Sequence, residues 1–98
     1  MILSKEDIKR HVEDFFSDKP VDKVWLFGSY ARGESDDESD IDILISFQKD
    51  SKIGWEYYGW SEDISEAMNK KVDVVSEGGM SKYIRPFIEA DKVLLYEK

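Results

Sequence analysis

The sequence predicts an α/β fold built as one domain over residues 1–98, and three observations carry that expectation. Four short β-rich segments, Lys23–Phe27, Asp40–Phe47, Val72–Val75 and Lys92–Tyr96, alternate with stretches of helical periodicity. A length of 98 residues suits one hydrophobic core and leaves no room for a second. A hydrophobic fraction of 41% with 13% aromatic residues belongs to a globular chain rather than a disordered one.

The first element is a helix with its own start signal. Ser4 is placed to cap it, Asp7 to close a capping box, and Leu3 with Ile8 to form a hydrophobic staple. Ile8, Val12, Phe15 and Phe16 then recur at helical spacing, and Pro20 ends the segment. His11 lies off that stripe with no second His or Cys to share a metal, which makes it a solvated surface residue. The segment "KVWLF" reads as a buried strand stopped by Gly28. In "DIDILISF" the residues alternate, with Ile41, Ile43, Ile45 and Phe47 on one face and Asp40, Asp42, Leu44 and Ser46 on the other. Tyr57, Trp60, Ile64 and Met68 follow helical spacing. "VDVV" is the third strand, "SEGGM" a turn, and "SKYIRPFIEA" a shorter helix that starts near Arg85, because Pro86 suits a first turn.

Several function classes are disfavoured at this level. A net charge of −8 argues against nucleic-acid binding through bulk electrostatics, which needs a basic surface. It leaves room for a nucleotide, because divalent cations reverse the local sign. With no cysteine there are no disulfides and no thiolate metal sites, which fits a reducing compartment. The N-terminus "MILSKEDIKR" turns charged too early for a signal peptide, and runs such as "VWLF" are far short of a membrane span. A soluble, cytoplasmic protein with no membrane partner is expected.

Charge is concentrated at one place: six acids stand among the nine residues from Glu34 to Asp42. Residues two apart on a strand share a face with Cα atoms roughly 6.5–7 Å apart, so Asp40 and Asp42 stand side by side. Such a pair is repulsive unless a cation lies between its members, and hard cations such as Mg²⁺ or Mn²⁺ take carboxylate oxygens. Asp73, alone between Val72 and Val74 in a segment fit for burial, is a third candidate if its strand lies beside the second. An Asp-x-Asp pair taken alone is equally the wet face of an edge strand. A calcium loop beginning at Asp36 fails, because Ile41 stands where Gly is needed and Phe47 where Glu is needed.

The Gly-Ser pair sharpens the reading. Gly28 ends the first strand where the backbone must bend and approach a ligand, and Ser29 is placed to cap the short segment "SYARGE". Strand, turn and helix start together make a phosphate cradle, ten residues before the Asp-x-Asp pair. An anion cradle beside a cation site is what a nucleoside triphosphate with Mg²⁺ requires.

"GSYARGESDDESDIDILI" resembles the signature of the DNA polymerase beta-like nucleotidyltransferases, and most of all their minimal nucleotidyltransferase (MNT) subgroup. "KVDVV" is similar to the segment bearing that family's third carboxylate, and "YIRPFIEADKVLLYEK" to the end of such proteins. The resemblance implies a nucleotidyltransferase fold, a small mixed sheet of about four strands with helices packed on it. It implies that Asp40, Asp42 and Asp73 hold two Mg²⁺ ions, with Mn²⁺ an alternative, and that Asp73 accepts the proton of the attacking hydroxyl. It further implies that Gly28 and Ser29 bind the β- and γ-phosphates of ATP. Arg32 has two readings, a phosphate contact or a surface pair with Glu34 or Asp36.

The subgroup is associated with HEPN partner proteins in toxin–antitoxin pairs, where the nucleotidyltransferase places AMP on a tyrosine of the toxin. The same role is expected here, with a HEPN-domain partner and no direct nucleic-acid binding. The alternative is an antitoxin that neutralises its partner by binding alone; intact carboxylates at all three positions favour the enzyme. Transfer to a small molecule is disfavoured, since 98 residues leave no acceptor domain. The cluster "WEYYGW" serves either an interface or the core.

Overall fold

The alternating segments assemble into one mixed sheet in the computed structural model, which describes residues 3–98. Strands β1 (Val21–Phe27), β2 (Ile41–Phe47), β3 (Val72–Ser76) and β4 (Val93–Glu97) lie in the order β3-β2-β1-β4. β1 pairs antiparallel with both β2 and β4, whereas β2 and β3 are parallel and joined through a helix. β1 starts two residues earlier than its apolar pattern indicates, because a register shift between Val21 and Lys23 hides the alternation there.

Parity along the strands separates two faces. One face carries Val24, Leu26, Ile41, Ile43, Ile45 and Val72, all buried against helices α1 (Lys5–Phe16) and α3 (Trp60–Met68). α1 contributes Ile8, Val12 and Phe16, and α3 contributes Trp60, Ile64 and Met68. The start of α1 follows its sequence signal: Ser4 Oγ accepts the Asp7 N–H at 3.0 Å, and Leu3 packs against the same core as Ile8. His11 is only partly exposed, a departure from the fully solvated position its charged neighbours indicate.

The opposite face is thinner. There Leu44, Met80 and Ile88 form a small core with Trp25, Phe27 and Val75, roofed by helix α4 (Arg85–Asp91). α4 begins at Arg85 with Pro86 in its first turn, where a missing N–H costs nothing. The aromatic run before α3 divides. Trp60 and Tyr57 pack edge-to-face at 5.5 Å and join the main core, while Trp55 and Tyr58 point outward, 86% and 77% exposed. That run forms a 3₁₀ turn, Trp55–Gly59, so α3 itself begins only at Trp60. Among the described residues no helix is long and apolar enough to cross a membrane.

Candidate active site

The thin face is where the acids gather. Asp42 shares the β2 face of Leu44, and Asp73 shares the β3 face of Val75, so both project on the α4 side. The parallel register pairs Asp42 directly with Asp73, on neighbouring strands that lie about 4.8 Å apart. Across the other ladder Asp42 partners Phe27, the last residue of β1. Two carboxylates thus stand at the open end of the face, with the apolar floor of Leu44 and Val75 beyond them.

Asp73 is half-buried on an edge strand, not enclosed within the sheet as its valine neighbours indicate. The cost of an isolated carboxylate in a dry core therefore does not arise. Asp40 lies one residue outside β2, whose pairing starts at Ile41, and its carboxylate is turned to Lys71 Nζ at 3.5 Å. The Ile41 N–H donates to the Lys71 carbonyl at 3.0 Å, which fixes this end of the strand pair.

Gly28 closes the site from the β1 side. Its φ of +75° and ψ of −155° belong to a region that L-residues rarely occupy. A Cβ built there would stand 2.5 Å from Asp42 Oδ2, so the Asp42 carboxylate lies against the bare Cα of Gly28. Helix α2 (Ser29–Arg32) springs from this glycine. The sequence places Ser29 as the cap; in the structure Gly28 occupies that position, Ser29 is the first helical residue, and no side chain caps the helix. The reason is the required backbone shape, which serine at the cap cannot adopt at low cost. Ser29 is thereby free of a capping role, half-buried beside Gly28.

Arg32 is already engaged. Its Nε donates to Glu34 at 3.0 Å and its Nη1 to Asp91 of α4 at 2.7 Å. These hydrogen bonds, Glu34 first and Asp91 next, hold the guanidinium still more firmly protonated than usual. The pairing with Glu34 matches one of the two sequence readings; that with Asp36 does not form. Asp36 instead braces its own loop, accepting the Glu38 N–H at 2.9 Å. Glu34, Asp36, Asp37 and Glu38 are all exposed, as a solvated loop requires.

The electrostatics follow from the crowding. Burial first, then the charges of Asp73 and Asp40, raise the pKa of Asp42 from 3.8 to about 6. Arg32 and Lys71 offset only part of that shift. As the side chains stand, no three acids or histidines among the described residues are grouped into a ready-made metal cluster. The chemistry of the donors nonetheless fits a hard divalent cation: carboxylate oxygens on adjacent strands, mutually repelling, beside a glycine that leaves space for a ligand. The sequence pattern points to Asp40, Asp42, Asp73, Gly28 and Ser29. It gives no signal for Asp91, which meets Arg32 across 59 residues. Lys71 has a faint one, as the residue leading into "VDVV".

A four-stranded mixed sheet that aims an Asp-x-Asp strand mouth at a Gly-Ser turn defines a nucleotidyltransferase domain, and the family model of that description matches residues 7–95. The chain belongs to this family. Among its relatives is a Methanocaldococcus jannaschii protein, provisionally named a protein adenylyltransferase, to which it is 33% identical over 91 residues. That match covers 91% of each chain. In fold it is similar to a toxin–antitoxin crystal structure with AMP-PNP, at a TM-score of 0.78 and 21% identity, covering 92% of this chain and 73% of the other. It is also similar to a chain in the complex of a tri-AMPylated Shewanella oneidensis HEPN toxin with MNT antitoxin. There the TM-score is 0.73 at 18% identity, covering 96% of this chain and 73% of the other.

Proposed function

We propose that this chain, as a single minimal domain over residues 1–98, is a metal-dependent nucleotidyltransferase of the cytoplasm. It moves AMP from ATP onto a tyrosine hydroxyl of a HEPN-domain toxin and so acts as antitoxin. The observation that carries the reading is the direct register of Asp42 with Asp73, the Asp42 carboxylate lying against Gly28. The M. jannaschii relative's name and the HEPN and AMP-PNP complexes among similar folds support the choice of nucleotide and acceptor.

Asp40, Asp42 and Asp73 are the residues that would hold Mg²⁺, or Mn²⁺. When bound, such cations stabilise charge on the attacking and leaving oxygens of an in-line displacement. Gly28 and Ser29 receive the β- and γ-phosphates, since the glycine lets the backbone come close and α2 starts there. Asp73, half-open on its edge strand, is placed to take the proton of the acceptor hydroxyl as that oxygen attacks the α-phosphorus and pyrophosphate leaves. Asp42, held between Gly28 and Asp73, fixes where the phosphates and the carboxylates meet.

The test is intact-mass spectrometry of the co-expressed HEPN partner after incubation with ATP and Mg²⁺, beside an Asp40→Ala/Asp42→Ala control. A gain of one or more AMP units with the wild-type chain alone is expected. A stable complex with no gain in mass would replace this reading by neutralisation through binding.

A further inference from the structure

One surface beside the carboxylates is not used by the phosphate and metal roles. Between α4 and the end of β1 runs a cleft of about 340 Å³, walled by Phe27, Gly28, Arg32, Ile84, Phe87 and Asp91. We infer that this cleft is the nucleobase subsite, in which the flat aromatic base of the nucleotide stacks on the ring of Phe87. The inference rests on the nucleotide-transfer reading above and adds to it the place where the uncharged part of the substrate is held.

Three features carry it. The cleft is continuous with the candidate cradle, since Gly28 is at once the residue against the Asp42 carboxylate and a wall of the cleft. A base attached to a phosphate chain held at Gly28 therefore lies within reach of it. Next, the walls are apolar, and two of them are open to water: Phe87 is 73% exposed and Ile84 47%. An exposed phenyl ring at the rim of a cleft of this size suits one flat ring system, because small-molecule sites are apolar clefts with a few placed polar groups. Finally, the two charged side chains at the rim cancel, Arg32 Nη1 donating to Asp91 Oδ2 at 2.7 Å. A neutralised apolar cleft attracts no triphosphate, so phosphates and base are sorted to opposite sides of Gly28.

The experiment is calorimetric titration of the full chain with MgATP and, separately, with inorganic tripolyphosphate and Mg²⁺, no acceptor protein being present. Phe87→Ala should weaken MgATP binding by roughly 5- to 100-fold, the range that loss of one base–aromatic stack gives. Its affinity for tripolyphosphate should be that of the wild type. Phe87→Trp, which restores a stacking surface, should bind MgATP as the wild type does. Unchanged MgATP binding by Phe87→Ala overturns the inference, as does an equal loss of both ligands. Normal MgATP binding with poorer transfer to the acceptor protein would assign the cleft to an acceptor side chain and overturn it likewise. Failure of the wild type to bind either ligand would sink the nucleotide-transfer reading itself, and this inference with it.

Discussion

Replacing Asp42 by Asn should stabilise the protein at pH 8 in metal-free buffer while removing its transfer activity. The folded Asp42 carboxyl titrates at about 6 against 3.8 for an ordinary aspartate, raised by burial and by the charges of Asp73 and Asp40. The fold therefore holds this proton more tightly than the unfolded chain does. The associated stability is full below about pH 4 and is lost as pH rises through about 6. A shift of this size converts at about 1.4 kcal/mol per unit to about 3 kcal/mol. Solvent reaches the half-buried carboxyl, so screening reduces the figure to about 1–1.5 kcal/mol. For a domain of this size that is about 4–12 °C in melting temperature. Thermal melts followed by circular dichroism at pH 4 and pH 8, with chelator, give the comparison. Asp42→Asn should melt above the wild type at pH 8 and beside it at pH 4. Millimolar Mg²⁺ at pH 8 should raise the wild type and not the variant, since a ligand that binds only the fold stabilises it. A difference between the two proteins that does not change with pH would falsify the electrostatic account of this site.

Three further outcomes follow from the same geometry. At sub-saturating Mg²⁺, transfer rates should fall as pH drops below about 6, because proton and cation compete for Asp42; a rate profile flat from pH 5 to 8 under that condition would contradict this. Gly28→Ala should cost about 1–2 kcal/mol in urea unfolding and abolish transfer, since its Cβ would face both a φ of +75° and Asp42 Oδ2 at 2.5 Å. Arg32→Ala should leave the melting temperature close to the wild type, its partners being the exposed Glu34 and the partly exposed Asp91, and should weaken MgATP binding because Asp91 is left unpaired at the cleft rim. Wild-type affinity in that variant would leave Arg32 with its surface pairs as its only role.

What the sequence showed and what it concealed divide along the range of the interactions. The helix start at Ser4, the Gly28 turn and the Ile41–Phe47 alternation are decided within a few residues, and each stands in the structure. A Ser29 cap is a local expectation the structure replaces, because the glycine's backbone shape, invisible in residue types alone, claims the cap position. Depth was harder to read than direction. Asp73 between two valines looks like a core position, yet strand order puts β3 at an edge, and strand order is not written in any one segment. The partnership of Arg32 with Asp91 depends on α4 folding back over the sheet, and nothing near either residue announces it.

The two faces of the sheet explain why the acids can stand where they do. Alternation on β2 sends Ile41, Ile43 and Ile45 into the main core, against Ile8, Val12 and Phe16 of α1 and Trp60, Ile64 and Met68 of α3. The same alternation obliges Asp42 to project on the other side, where Leu44, Met80 and Ile88 make only a small core. The main core and the candidate site therefore lie on opposite faces of one strand, and the thin face tolerates a carboxyl whose pKa is raised to about 6. The thin face is also what leaves room beside Gly28 for a ligand. Had α4 packed as closely as α1 does, Phe87 and Ile84 would be buried, the cleft at Gly28 would be filled, and Asp42 would lose its access to a substrate. The marginal packing of α4 is thus what opens the cleft beside the candidate site, and the exposed Phe87 ring is its most direct sign.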